Sequence, residues 1–214
     1  RKLKMPLFMH PVFLIGYMGC GKSTLGRIAS SMSGRSFIDL DSYIEGRFHA
    51  TVKEIFAERG EDGFRQLERS MLHEVGQFED VIVACGGGTP CFYDNMEWMN
   101  DHGVTVYLDT SVGKLFERLK RGRHKRPLIA DKSDDELRDF ITEALAGRMV
   151  HYSKAKVVFK SDLLDSESEK TDTARRFLDQ LNIGCGEIFT RSGAASGDFD
   201  RRRAPEAHNR VAGK

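Results

Sequence analysis

A chain of 214 residues has the length of one domain with room for a sizeable core. Its 40% hydrophobic and 30% charged residues are ordinary for a soluble globular protein, and a net charge of +1 argues against bulk attraction to nucleic acid or to an acidic membrane. No apolar run approaches the ~18 residues that a membrane span needs.

The basic start, Arg1-Lys2-Leu3-Lys4, leads into a stretch broken by Pro6, His10 and Pro11 that runs straight into a glycine-rich loop. Residues 1–10 therefore read as an N-terminal extension and not as a cleavable signal. Apolar runs of strand length occur at 12–15, 36–39, 81–84, 104–108 and 156–159. Helical patterns occur at 22–32, 52–58, 61–76, 93–102, 111–121, 134–149 and 169–181. The alternation predicts an α/β fold with a parallel sheet and crossover helices. Ser133, with Glu136 three residues on, has capping-box spacing at the start of the helix at 134–149. Between two helices, the segment at 121–133 (RGRHKRPLIADKS) is polar, basic and interrupted by Pro127, and reads as a mobile loop. Periodicity ends near Gly184, and residues 192–214 offer only Phe199 and Val211 as sizeable apolar residues, so 184–214 is expected to be a disordered tail. Its run Arg201-Arg202-Arg203 reads as a solvated stretch, not as a nucleic-acid contact.

The chemistry begins at Gly16-Tyr17-Met18-Gly19-Cys20-Gly21-Lys22-Ser23, which fits G-x-x-x-x-G-K-[ST] between a buried strand and a helix N-terminus. The glycines let backbone N–H groups curl round a polyphosphate, and the helix dipole adds positive potential there. Lys22 can reach the β- and γ-phosphates, and Ser23 can offer its hydroxyl to Mg²⁺. Asp39 and Asp41, at the end of the second strand, fall at the carboxyl edge of the sheet where ligands bind. One carboxylate there can hold Mg²⁺ through a water and the other can accept a substrate hydroxyl proton, although an aspartate in that place also suits a helix cap. Arg65 and Glu68 share a helix face, either as a surface contact or with Glu68 aiming Arg65 at a carboxylate. Gly86-Gly87-Gly88 suits close approach of backbone to a ligand. Cys20, Cys85, Cys91 and Cys185 match neither a zinc site nor a C-x-x-C pair, and all four read as reduced thiols of a cytoplasmic protein.

Taken in order, the GYMGCGKST loop, the DLD pair, FRQLE, the GGGTP turn, KRPL and Arg148-x-x-x-Tyr152 resemble the shikimate kinase family over roughly residues 11–160. The resemblance implies a three-layer P-loop kinase domain at 11–183. Its five-stranded parallel sheet would run in the order 2-3-1-4-5, flanked by helices, with a mobile lid at about 121–133. It implies ATP-dependent phosphorylation of the 3-hydroxyl of shikimate, giving shikimate 3-phosphate and ADP on the route to chorismate and aromatic amino acids. ATP would be bound by Gly19, Cys20, Gly21, Lys22, Ser23, Thr24 and the lid residue Arg126. Shikimate would be bound by Asp41, Arg65, Gly86, Gly87, Gly88 and Arg148. Mg²⁺ would sit at Ser23 and, through water, at Asp39, and the catalytic groups would be Lys22, Asp41 and Arg126. A cytoplasmic monomer with no nucleic-acid or membrane partner is expected. After about Phe159 the family's adenine-contacting segment finds no match, and the tail has no counterpart. A gluconate kinase on the same scaffold is the nearest alternative; a nucleotide-binding protein without chemistry is disfavoured by the presence of Lys22, Asp39, Asp41 and Arg126.

Overall fold

Short runs of apolar, largely β-branched residues form the centre of the molecule, as the strand patterns predict. The computed structural model describes residues 10–184; residues 1–9 of the expected extension, and the tail from residue 185 with Cys185, lie outside the described residues. Strands β1 (Val12–Ile15), β2 (Ser36–Asp39), β3 (Val81–Ala84), β4 (Val104–Asp109) and β5 (Val157–Lys160) form one parallel sheet in the order β2-β3-β1-β4-β5. This is the strand order implied by the family resemblance. The inner strands β1 and β3 are buried along their whole length.

Alternation along β1 separates two cores. Val12 and Leu14 face one cluster with Leu25, Leu115, Ile141 and Phe177. Phe13 and Ile15 face the other with Ile44, Phe64, Leu72 and Met96. The first side is covered by α1 (Lys22–Ser33), α5 (Val112–Arg121), α6 (Asp134–Tyr152) and α7 (Glu167–Gln180); the second by α2 (Leu40–Phe48), α3 (Val52–Val75) and α4 (Asn95–His102).

One element is a correction. Helix α2 was not expected, because its nine residues include Gly46 and carry a weak amphipathic pattern. It forms because Asp39 caps it, accepting from the Ser42 amide, and because Leu40 and Ile44 are buried. The two helical patterns at 52–58 and 61–76 form one element broken at Gly60, whose left-handed φ of 68° ends the first half. The capping box at Ser133 and Glu136 is present. The basic loop contains two 3₁₀ turns, Arg123–Lys125 and Pro127–Ile129, and Ile129 is fully buried in the first core.

Candidate active site

Parallel strands deliver their carboxyl ends to one edge of the sheet, and the loops after β1, β2 and β3 meet there. Helix α1 starts at Gly21, in the left-handed region at φ 100°, with no side-chain cap on its first amides. These free N–H groups and the helix dipole form an anion cradle. Lys22 Nζ lies over the loop and donates to the carbonyls of Gly16 (2.8 Å) and Tyr17 (3.1 Å). A cavity of about 390 Å³ is lined here by Gly19, Gly21, Lys22, Ser23, Thr24 and the lid residue Arg126. Cys20 does not join that lining: it is buried beneath the loop with Sγ 3.6 Å from Lys22 Nζ.

Ser23 donates to Asp39 Oδ2 at 2.6 Å, so Asp39 serves α1 and α2 together. One hydroxyl and one carboxylate are a fitting set for Mg²⁺, which takes few protein ligands beside phosphate oxygens and waters. Among the described residues no cluster of three or more His, Cys, Asp or Glu offers a dedicated metal cage.

A second cavity, of about 200 Å³, collects the other expected residues: Asp41, Arg65, Gly86, Gly87, Gly88 and Arg148. Asp41 opens onto it from the first turn of α2. The surrounding walls strip enough bulk water from its carboxyl, and Asp39 and Glu68 add enough negative potential, that its pKa is pushed up to about 6. Arg65 is not a surface pair. Its Nη1 donates to Glu68 at 2.8 Å, and Glu68, 1% exposed, also accepts from Thr89 Oγ1 at 2.5 Å. A Cβ on Gly88 would lie 2.9 Å from Arg65 Nη2, and one on Gly87 would lie 3.1 Å from Arg148 Nη1, so the glycine turn is packed against both guanidinium groups. Tyr152 locks that turn to α6: its hydroxyl donates to the Gly87 carbonyl at 2.6 Å, and its ring stacks on Tyr107 of β4.

Several cavity residues were not singled out from sequence. Arg118, Arg121, Leu164, Asp165 and Lys170 line the phosphate-loop cavity. Arg118 donates to the carbonyls of Ser161 and Asp162, which ties α5 to the segment after β5. That segment carries no motif; only its position after the last strand could have pointed to it. Leu128 lines the second cavity, so the basic loop presents Arg126 to one cavity and Leu128 to the other.

A parallel sheet of this order, with a phosphate loop after its first strand and a basic lid over a second cavity, defines a P-loop kinase of small molecules. A family model described as "Shikimate kinase" matches residues 18–182. The shikimate kinase of Phocaeicola vulgatus is 56% identical over 175 residues, covering 80% of this chain and all of that protein. The crystal structure of the shikimate kinase of Bacteroides thetaiotaomicron, 49% identical, superposes with a TM-score of 0.79 over 82% of this chain and 99% of that one. That of Acinetobacter baumannii in complex with shikimate, 29% identical, gives 0.70 over 82% and 94%. The chain belongs to the shikimate kinase family, a family of phosphotransferases.

Proposed function

We propose that the protein transfers the γ-phosphoryl group of ATP to the 3-hydroxyl of shikimate, releasing ADP and shikimate 3-phosphate. The observation that carries this reading is the convergence of Asp41, Arg65, Arg148 and the 86–88 turn on one cavity beside the phosphate loop. Two arginines suit one carboxylate, and an aspartate beside exposed backbone suits a ring of hydroxyls. Asp41, charged at neutral pH, accepts the proton of the attacking hydroxyl. Lys22 swings from the Gly16 and Tyr17 carbonyls to the phosphates and, with Arg126, neutralises charge that develops on the transferred group. Ser23 and Asp39 would hold Mg²⁺, which when bound would supply charge neutralisation to the phosphates. Arg126 closes toward the phosphates while Leu128 covers the acceptor cavity, and together they keep water from becoming the acceptor. Arg118 and Leu164 also line the nucleotide cavity and offer a cation and an apolar surface to a base. A monomer is the expected working unit, and a cytoplasmic setting agrees with the free thiols of Cys20, Cys85 and Cys91.

The test is ATP turnover with shikimate, with gluconate and with no acceptor. Shikimate-dependent ADP release with neither of the other two active is the expected result. Turnover with gluconate alone, or equal turnover without acceptor, rejects the reading.

A further inference from the structure

Arg65 lies among three aromatic rings. Phe64 and Phe56 come from its own helix, α3, with centroids 5.3 and 5.8 Å from the guanidinium carbon. The third and nearest, Phe92, is 4.0 Å away and comes from the segment after the 86–88 glycine turn. Phe92 does not line the substrate cavity. It follows a 3₁₀ turn, Thr89–Cys91, and stands in extended backbone at φ −115°. Tyr93 then takes a left-handed φ of 51°, a strained conformation for a bulky side chain. The segment is fastened to α3 on both sides of the ring: Thr89 donates to Glu68, and Asp94 pairs with Arg69 at 2.7 Å.

We infer that Phe92 is a positioning residue for Arg65, seating its guanidinium for the carboxylate of the acceptor substrate; the inference rests on the shikimate reading above. A long arginine side chain loses rotamer freedom when it captures a ligand, and a seat that holds it beforehand removes that cost from binding. Glu68 fixes one edge of the guanidinium but also cancels part of its charge. The exposed Glu61, 3.5 Å from Nη2, offsets a further, solvent-screened part, and a buried carboxylate in the place of the ring would repel the substrate's own. A ring face holds the cation through its quadrupole and leaves the net charge in place. Arg148 is backed more loosely, over the Tyr17 ring at 5.2 Å, so Arg65 is the arginine whose aim depends on an aromatic seat.

The experiment measures kcat, shikimate KM and ATP KM for the full chain and for Phe92→Leu, Phe92→Tyr, Arg65→Leu and the double variant Phe92→Leu/Arg65→Leu. Phe92→Leu is expected to raise shikimate KM by about three- to thirtyfold, the factor of a desolvated cation–π contact, with kcat and ATP KM unchanged. Phe92→Tyr, which keeps the ring, restores the KM. In the Arg65→Leu background Phe92→Leu adds nothing, because the group it acts through is gone. If Phe92→Leu does not fold, Phe92→Met, also without a ring, takes its place. An unchanged shikimate KM, an equal rise in ATP KM, or the full KM effect without Arg65 overturns the inference. A wild-type protein inactive on shikimate breaks the underlying reading and this inference with it, whereas shikimate turnover with an unaffected Phe92→Leu breaks the inference alone.

Discussion

The phosphate-loop cavity takes Gly19, Gly21, Lys22, Ser23 and Thr24 from one short loop, whereas the second cavity, proposed above for the acceptor, takes Asp41, Arg65, the 86–88 turn and Arg148 from four distant segments. The first is shaped by backbone: left-handed glycines and unpaired helix amides follow from local sequence. The second is shaped by side chains held across elements, through the Arg65–Glu68–Thr89 chain and the Tyr152 bond to Gly87. On the proposed reading, phosphate recognition would travel with a motif, while acceptor recognition would depend on how α2, α3 and α6 dock on the sheet.

The sharpest break of this contrast is expected at Asp41, where the two cavities must act on one reaction. Asp41→Asn should lower kcat by about 10²- to 10⁴-fold with the fold intact, as for loss of a general base. Its stability effect has the opposite sign. The folded pKa of about 6 lies above the ordinary 3.8, so the folded protein prefers the protonated group. The stabilisation linked to that proton is complete below the unfolded value and is lost as pH rises through about 6. Melting curves without added Mg²⁺ or nucleotide should show Asp41→Asn melting above wild type at pH 8, with the gap closing by pH 4. A wild-type protein that is the more stable at pH 8 contradicts the raised pKa.

Lys22→Ala comes next, with kcat lower by about 10²- to 10³-fold and shikimate affinity without nucleotide retained. Near-normal turnover in a folded variant would remove this loop from the reaction. Arg148→Leu should act on the other cavity alone. Loss of a charged hydrogen bond worth about 1.5–3 kcal/mol should raise shikimate KM by about ten- to 150-fold and leave ATP KM in place. Equal changes in both would mean that α6 supports the whole site and not one side of it. The smallest effect belongs to the capping box at the other end of α6. Ser133→Ala should cost about 1 kcal/mol, or about 2–4 °C in Tm, with shikimate KM unchanged. A raised KM there would show that the aim of Arg148 depends on the helix start and not on the Tyr152 anchor.

The same contrast explains what could be read from the sequence. The phosphate loop and the strands were legible because each is a contiguous pattern: an apolar run, glycines at fixed spacing, a lysine and a hydroxyl. The alternative readings of Asp39 and of Arg65 with Glu68 needed coordinates. Asp39 proved to be a helix cap and a partner of Ser23 at once, and Glu68 proved to be buried. Helix α2 was missed because its stability comes from a cap and two buried side chains and not from periodicity. Leu164 and Arg118 were missed because nothing in their neighbourhood of sequence marks them; the docking of α5 and of the segment after β5 brings them to the phosphate-loop cavity. Phe92 reads as an ordinary turn residue until its ring is seen under Arg65.

The buried Ile129 gives the basic loop a mechanical character. A flap hinged only at its two ends would sweep as one piece, but a side chain sunk in the core midway along the loop acts as a fulcrum and divides it into two short arms. Arg126 rides on one of them, three residues from the fulcrum, so its travel is bounded by a tether of about 10 Å. Leu128, 74% exposed, sits directly beside the pivot and would move little. Closure would thus be a short rocking of the arginine toward the phosphates while the apolar edge over the acceptor stays nearly in register, and the stroke would be set by the three-residue span from the buried Ile129 to Arg126.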